Sequence, residues 1–131
     1  MNPALPCPCG RPDRPVRAYR DCCGPLHDGT RDATTAEDLM RSRYSAYVLD
    51  RRPYLLASWH ASTRPADLPP PEPGLRWLGL DVKRHVPIDD DHATVEFVAR
   101  SKLGGRAHRL HERSRFVREG GRWFYVDGDL A

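Results

Sequence analysis

Lysine is almost missing from this chain. Lys83 and Lys102 are the only lysines among 21 basic residues, so the net charge of +3 is carried by arginine. Arginine suits forked recognition of phosphate and carboxylate, but the same bias together with many Ala and Pro is the imprint of a GC-rich genome. A mild net charge does not identify nucleic acid as a partner. No apolar run approaches the roughly 20 residues of a membrane span, and MNPALPCPCG has neither the basic start nor the apolar stretch of a secretory signal. The expectation is a soluble cytoplasmic protein with no membrane partner. GLRWLGL and KLGGR contain glycine without the spacing that cradles phosphate, and no nucleophile–base pair can be picked out. Neither of these signatures marks an enzyme.

Cysteine is absent from residue 24 onward. All four cysteines lie in CPCGRPDRPVRAYRDCCGPLHDG, residues 7 to 29, as C-x-C, twelve intervening residues and C-C. A chain of 131 residues can bury a core without covalent staples, and in a reducing compartment clustered thiols read as metal ligands or redox groups. The C-x-x-C spacing of redox dithiols is missing, and the segment is too polar for ordinary core cysteines. Cys7, Cys9, Cys22 and Cys23 are therefore candidates for a closed tetrahedral zinc shell, a structural site without an open position. His27, four residues after Cys23, could take the place of one cysteine, but a solvated loop histidine is the expected reading. Zinc with four thiolates is a dianion, which Arg11, Arg14, Arg17, Arg20 and backbone N–H groups would screen.

Residues 1 to 33 show little hydrophobic periodicity, so this segment needs an outside organiser. The pattern changes at TTAEDLMRSRYSAYVLD, where Ala36, Leu39, Met40, Tyr44, Tyr47 and Val48 recur on one helical face. Thr34 and Glu37 have the spacing of a capping box. Asp50 is placed to cap a second helix with Pro53 in its first turn, carrying Leu55, Leu56 and Trp59 inward and ending near Ser62. The proline-rich stretch from 64 to 74 can only be a connecting loop. Beyond it the period becomes two in LRWLGLDVKRHV, HATVEFVARSK, RAHRLHERSRFVRE and RWFYVDGD, with turns at DDD, LGG and EGG. Helices followed by an antiparallel sheet predict an α+β fold with the helices on one face.

CPCG with AYRDCCGPLHDG resembles the zinc motif at the C-terminus of the SecA translocation ATPase, the SEC-C motif. TAEDLMRSRYSAYV, YLLASWH, ATVEFVAR and HERSRFVREGGRWFYVDG resemble the bacterial YchJ family. Together these resemblances imply a zinc-binding motif over residues 1–30 with ligands Cys7, Cys9, Cys22 and Cys23. They also imply a nuclear transport factor 2-like cone over 34–131, in which helices pack into a strongly curved sheet. Such cones also pair through the outer face of the sheet, so a homodimer is one implied arrangement. The loop after CPCG is about four residues longer than the usual motif, which bears on the local fold more than on the metal. No reaction follows, because the family has no assigned activity.

Cone folds include dehydratases and isomerases, yet fold alone does not confer function. Strand parity puts Leu110, Glu112, Ser114 and Phe116 on one face of RLHERSRFV, and that face is apolar enough to point inward. Glu112 is the one weak catalytic candidate, since desolvation would raise its pKa toward that of a usable general acid or base. The competing reading is a carboxylate held for structural reasons by a tyrosine, an indole N–H or an arginine. Glu96 is expected in solvent, His60 at a helix end, and Trp77, Trp123, Phe124 and Tyr125 in the core or lining a pocket. Arg109, His111, Arg113 and Arg115 form a basic row on the opposite face, suited either to RNA phosphates or to blunting edge pairing. Three functions compete: a zinc-containing module that binds another protein, a cone-fold enzyme or small-molecule binder using Glu112, and an RNA- or ribosome-associated protein. The first is preferred.

Overall fold

The computed structural model describes residues 2–12 and 15–131; Arg14, one of the arginines expected to screen a zinc site, lies outside the described residues. The period-two segments form one antiparallel meander of β1 (Arg76–Asp89), β2 (His92–Leu103), β3 (Arg106–Glu119) and β4 (Arg122–Leu130), in the order β1-β2-β3-β4. Two of its three hairpins turn on Gly104–Gly105 and Gly120–Gly121, where both residues of each pair have positive φ. That is the turn geometry whose twist matches paired strands. Register shifts at three points in β1 and one in β3–β4, at Arg115/Phe116, bend and twist the sheet, giving it a concave side.

Helices occupy that concave side. A short 3-10 helix (Tyr19–Asp21) and α1 (Gly24–His27) belong to the N-terminal segment, followed by α2 (Ala36–Val48) and α3 (Arg52–Ala57). Ala36, Leu39, Met40 and Tyr44 of α2 pack on Leu80, Ala93, Val95, Phe97, Ala99 and Phe116 of the sheet to form the main core. The polar side of α2 is covered too: Arg41, Ser42, Arg43 and Ser45 are all buried, whereas Tyr47 is exposed. One apolar stripe therefore does not describe this helix. Small residues let neighbours approach it from both sides.

Two expected helix caps sit elsewhere. The N-cap of α2 is Thr35, whose hydroxyl oxygen accepts from the Asp38 N–H at 3.1 Å, while Thr34 donates its hydroxyl to the Asp38 carboxylate at 2.7 Å. The sequence offers two adjacent threonines, and the second is the one placed to meet the N–H three residues on. Asp50 does not cap α3. Its φ of 56° ends α2 instead, with the Arg51 N–H donating to Ala46 O at 2.8 Å and the Asp50 N–H to Tyr47 O at 3.4 Å. This paired pattern closes a helix through a left-handed residue. α3 ends at Ala57, earlier than Ser62, because the next residues leave it to line the edge of β4. The Tyr125 N–H donates to Ser58 O at 2.9 Å and the His60 N–H to Tyr125 O at 2.7 Å. Of the residues expected to point inward from this segment, Leu55 is fully buried and Leu56 and Trp59 are half-buried.

A non-glycine residue in the left-handed region costs about 1–2 kcal/mol. Asp50→Gly is thus expected to raise unfolding stability by about 0.5–1 kcal/mol and Asp50→Val to lower it by about 1–2 kcal/mol. Urea denaturation of the two variants checks the opposite signs.

Candidate functional site

Residues 5–7 run antiparallel to 17–19: the Cys7 N–H donates to Arg17 O at 3.0 Å, the Tyr19 N–H to Leu5 O at 2.9 Å, and Pro6 bridges Ala18. This arm carries the first cysteine pair, and the turn from the 3-10 helix into α1 carries the second. All four thiols are free and buried, and their Sγ atoms lie within 4.8 Å of one another. Four sulfurs at about 2.3 Å from one tetrahedral zinc would stand about 3.8 Å apart; Cys9 Sγ and Cys22 Sγ are 3.7 Å apart. The cluster fits a zinc knuckle. Thiols packed this closely titrate together. Contact with Cys23, and more weakly the charge of Arg11, drive Cys22 down, while Cys9 and Cys23 are driven up, foremost by contact with Cys22. For Cys7 the contact with Cys22 works upward, but those with Cys23 and Cys9 outweigh it and bring the thiol down to about 7.

The knuckle is fastened to α2. Arg41 donates through Nη1 to Cys9 O at 3.2 Å and through Nε to Glu37 at 2.9 Å. Arg31 Nη2 donates to Cys22 O at 3.1 Å, and Arg11 pairs with Asp38. Burial works against the Asp38 charge, but hydrogen bonds from Thr34 and Arg11 outweigh it and hold the carboxyl below its ordinary range. His27 is the central joint. Its Nε2 lies 2.8 Å from Ser42 O, which can only accept, so Nε2 carries the proton and Nδ1 accepts from the Tyr19 hydroxyl at 2.6 Å. The ring also packs against Tyr54 with centroids 4.7 Å apart. With both nitrogens engaged in these hydrogen bonds, His27 stands outside the four-sulfur group, and the contacts from α2 show the knuckle packed on the cone. Nothing in the sequence spacing distinguished that from a tether through residues 29–35.

On the other side of α2 a cavity of about 480 Å³ opens between the helices and the concave sheet, bounded by the prolines at 69–71. Glu112 and Ser114 line it as strand parity requires. The Ser114 hydroxyl donates to Glu112, a partner absent from the expected tyrosine, indole or arginine. Gly128 leaves the space, since a Cβ there would sit 2.6 Å from Glu112 Oε2. The cavity also holds Arg43, which the sequence reading missed. It sits two residues before Ser45 on what reads as a polar face, and only the small residues beside it hint that this face is covered.

On the outer face the basic row is interleaved with carboxylates. Arg115 pairs with Asp127 at 2.5 Å and Asp129 at 2.7 Å, and His111 Nε2 lies 2.7 Å from Glu96. Glu96 is accordingly half-buried against His111, not freely solvated as expected. His60 pairs with Glu119 at 3.0 Å beside β4.

A family profile described as "YchJ, middle NTF2-like domain" matches residues 35–128. The chain is similar to the UPF0225 protein of Methylibium petroleiphilum, 68% identical over 127 residues that cover 96% of this chain and 89% of the relative. It is 59% identical to that of Ralstonia nicotianae, with 98% and 94% covered. Among solved structures it resembles a SEC-C motif containing protein from Rhodopseudomonas palustris, with TM-score 0.82, 33% identity, and 97% of this chain and 99% of that chain covered. A SEC-C motif containing protein from Psychrobacter arcticus gives TM-score 0.80 at 29% identity, covering 100% and 86%.

Burial, foremost, holds His27 below its ordinary value of 6.5. The unfolded chain therefore binds this proton first, so His27 contributes stability above about pH 6.5 that is lost as the pH falls from there through its folded value. His27→Gln is expected to cost about 1–3 kcal/mol at pH 7.5 through its two lost hydrogen bonds. That gap should narrow below pH 6, as read from denaturation midpoints across the range.

Proposed function

We propose, given that the chain belongs to the YchJ (UPF0225) family, that it is a zinc-binding protein whose N-terminal knuckle presents a metal-organised surface to another protein. The observation that carries this reading is the convergence of four buried thiols, within 4.8 Å of one another, in a segment whose described residues add only Tyr19 to that buried cluster. Four sulfurs in tetrahedral reach suit zinc or an iron–sulfur centre, and the resemblance of the motif to the SecA zinc module favours zinc. Cys7, Cys9, Cys22 and Cys23 would hold the ion. It supplies folding free energy to residues 2–28 and no reactive position, because a four-thiolate shell is complete. Arg11, within the knuckle and paired with Asp38, neutralises part of the added negative charge, and Arg41 of α2 and Arg31 of the connecting segment hold the shell in place.

The partner surface is read from the outside of the same arm. Leu5 is 51% exposed at the start of the paired arm and Val16 54% exposed just before the opposite segment 17–19. Large apolar side chains in the open on so small a unit support contact with another protein. Under this reading the protein works where thiols remain reduced, in the cytoplasm.

Protein purified without chelator or added metal is expected to contain one zinc per chain by elemental mass spectrometry. Chelation should move the amide NMR signals of residues 5–28 and of Arg41 and Ser42 while sparing β3. Metal-free protein with intact thiols and the same spectrum contradicts the zinc assignment. Leu5→Asp with Val16→Asp is expected to retain the zinc and to change stability by no more than about 0.5 kcal/mol. The same pair should abolish the cross-links that a photoreactive residue at position 18 makes to a partner; cross-links that persist in the double variant contradict the contact surface.

A further inference from the structure

We propose that the cavity between α2, α3 and the concave face of the sheet binds a small apolar monocarboxylate, with Arg43 as its counter-ion. This goes beyond the metal reading and stands apart from it. Arg43 is 6% exposed, and its guanidinium carbon lies 4.9 Å from the Trp59 ring centre and 4.6 Å from that of Tyr125. Nη1 donates to Leu55 O at 2.8 Å and Ser58 Oγ at 2.7 Å. These neutral acceptors and ring faces aim the group. None of them carries a compensating charge, and among the described residues no carboxylate forms an ion pair with it.

A buried charge of this kind is costly unless paired, and arginine has no neutral form to retreat to at physiological pH. Burial is the first influence on Arg43 and works against its charge. Glu112 lines the same cavity but stands beyond ion-pair distance, occupied by the Ser114 hydroxyl. The Trp59 indole N–H is also buried without an acceptor, a second donor left over at this wall. A cation without an ion-pair partner beside a buried N–H without an acceptor calls for an oxygen-rich anion.

The remaining wall sets the body of the ligand. Met40, Tyr44, Leu55, Trp77, Phe97 and Phe116 are apolar or aromatic, and a volume of about 480 Å³ lies in the range of small-molecule sites. The occupant this describes has one carboxylate for Arg43 and a planar or branched hydrocarbon body. A hydroxyl at its far end would find Glu112 as acceptor.

The test is an NMR titration of the full-length protein with three probes: phenylacetate, 4-hydroxyphenylacetate and methyl phenylacetate. Both acids are expected to shift the Arg43 Nε–H and Trp59 indole N–H signals in a saturable way. The uncharged ester should bind at least tenfold more weakly, and the hydroxylated acid more tightly than phenylacetate. Equal binding of ester and acid would overturn the counter-ion role. Absence of saturable shifts up to millimolar acid, in folded protein, would overturn the proposal. So would movement of the same two signals with protein concentration alone, which would mean that a second copy occupies the cavity.

Arg43→Gln is expected to erase the preference for acid over ester. Should that variant fail to fold, Leu110→Trp serves instead: position 110 is exposed at the cavity rim, and the larger ring should block binding with Arg43 intact. Undiminished binding in Leu110→Trp would place the probes elsewhere and overturn the proposal. Zinc content is unaffected in every arm, so failure here is distinguishable from failure of the metal reading.

Discussion

Four thiols brought within 4.8 Å of one another are the constraint from which the N-terminal segment of this protein takes its shape. Thiolates so close repel one another unless a cation or shared protons intervene, and protonated sulfur makes only weak hydrogen bonds. The segment around them is rich in Pro, Gly and Arg, and its described residues bury no cluster of their own beyond the four cysteines and Tyr19. Its backbone conformation has few other sources of free energy to resist chain entropy. A structural metal is the common solution for a unit of this size.

The other half of the design lies in α2, which is a partition between two sites. One side meets the knuckle: Asp38 takes Arg11, Arg41 takes the Cys9 carbonyl, and the Ser42 carbonyl takes His27. The other side meets the sheet and cavity through Met40, Arg43 and Tyr44. A helix with two covered sides cannot keep a clean polar face. Its buried polar residues are either small, as Ser42 and Ser45 are, or arginines whose forks satisfy backbone carbonyls. Arg41 and Arg43 do this on opposite sides, one for Cys9 and one for Leu55.

The strand segments were legible almost residue by residue, because a sheet with one covered face writes its period directly into the chain and the Gly-Gly turns delimit it. That the four cysteines come together was legible from their pairing in so polar a segment. The parity that sent Glu112 inward held, although the bulge at Arg115/Phe116 shows how easily such counting is upset one strand over. Other features were hidden for a common reason: they depend on what packs from far along the chain. Asp50 looks like a helix N-cap until the left-handed turn that ends α2 is seen. His27 looks like a loop histidine until Ser42 arrives from the next helix. Arg43 looks solvated until Trp59 and Tyr125 close over it, and the basic row looks uncompensated until β4 supplies Asp127 and Asp129.

The claim on which the account rests most heavily is that the cysteine cluster encloses one zinc ion with a complete sulfur shell. X-ray absorption at the zinc edge of the purified protein measures that shell directly. The account predicts four sulfur scatterers at about 2.3 Å and no nearer light atom. A shell containing nitrogen or oxygen at about 2.0–2.1 Å would mean that a histidine or water has entered it, contradicting both the closed site and the role of His27 as a joint to α2.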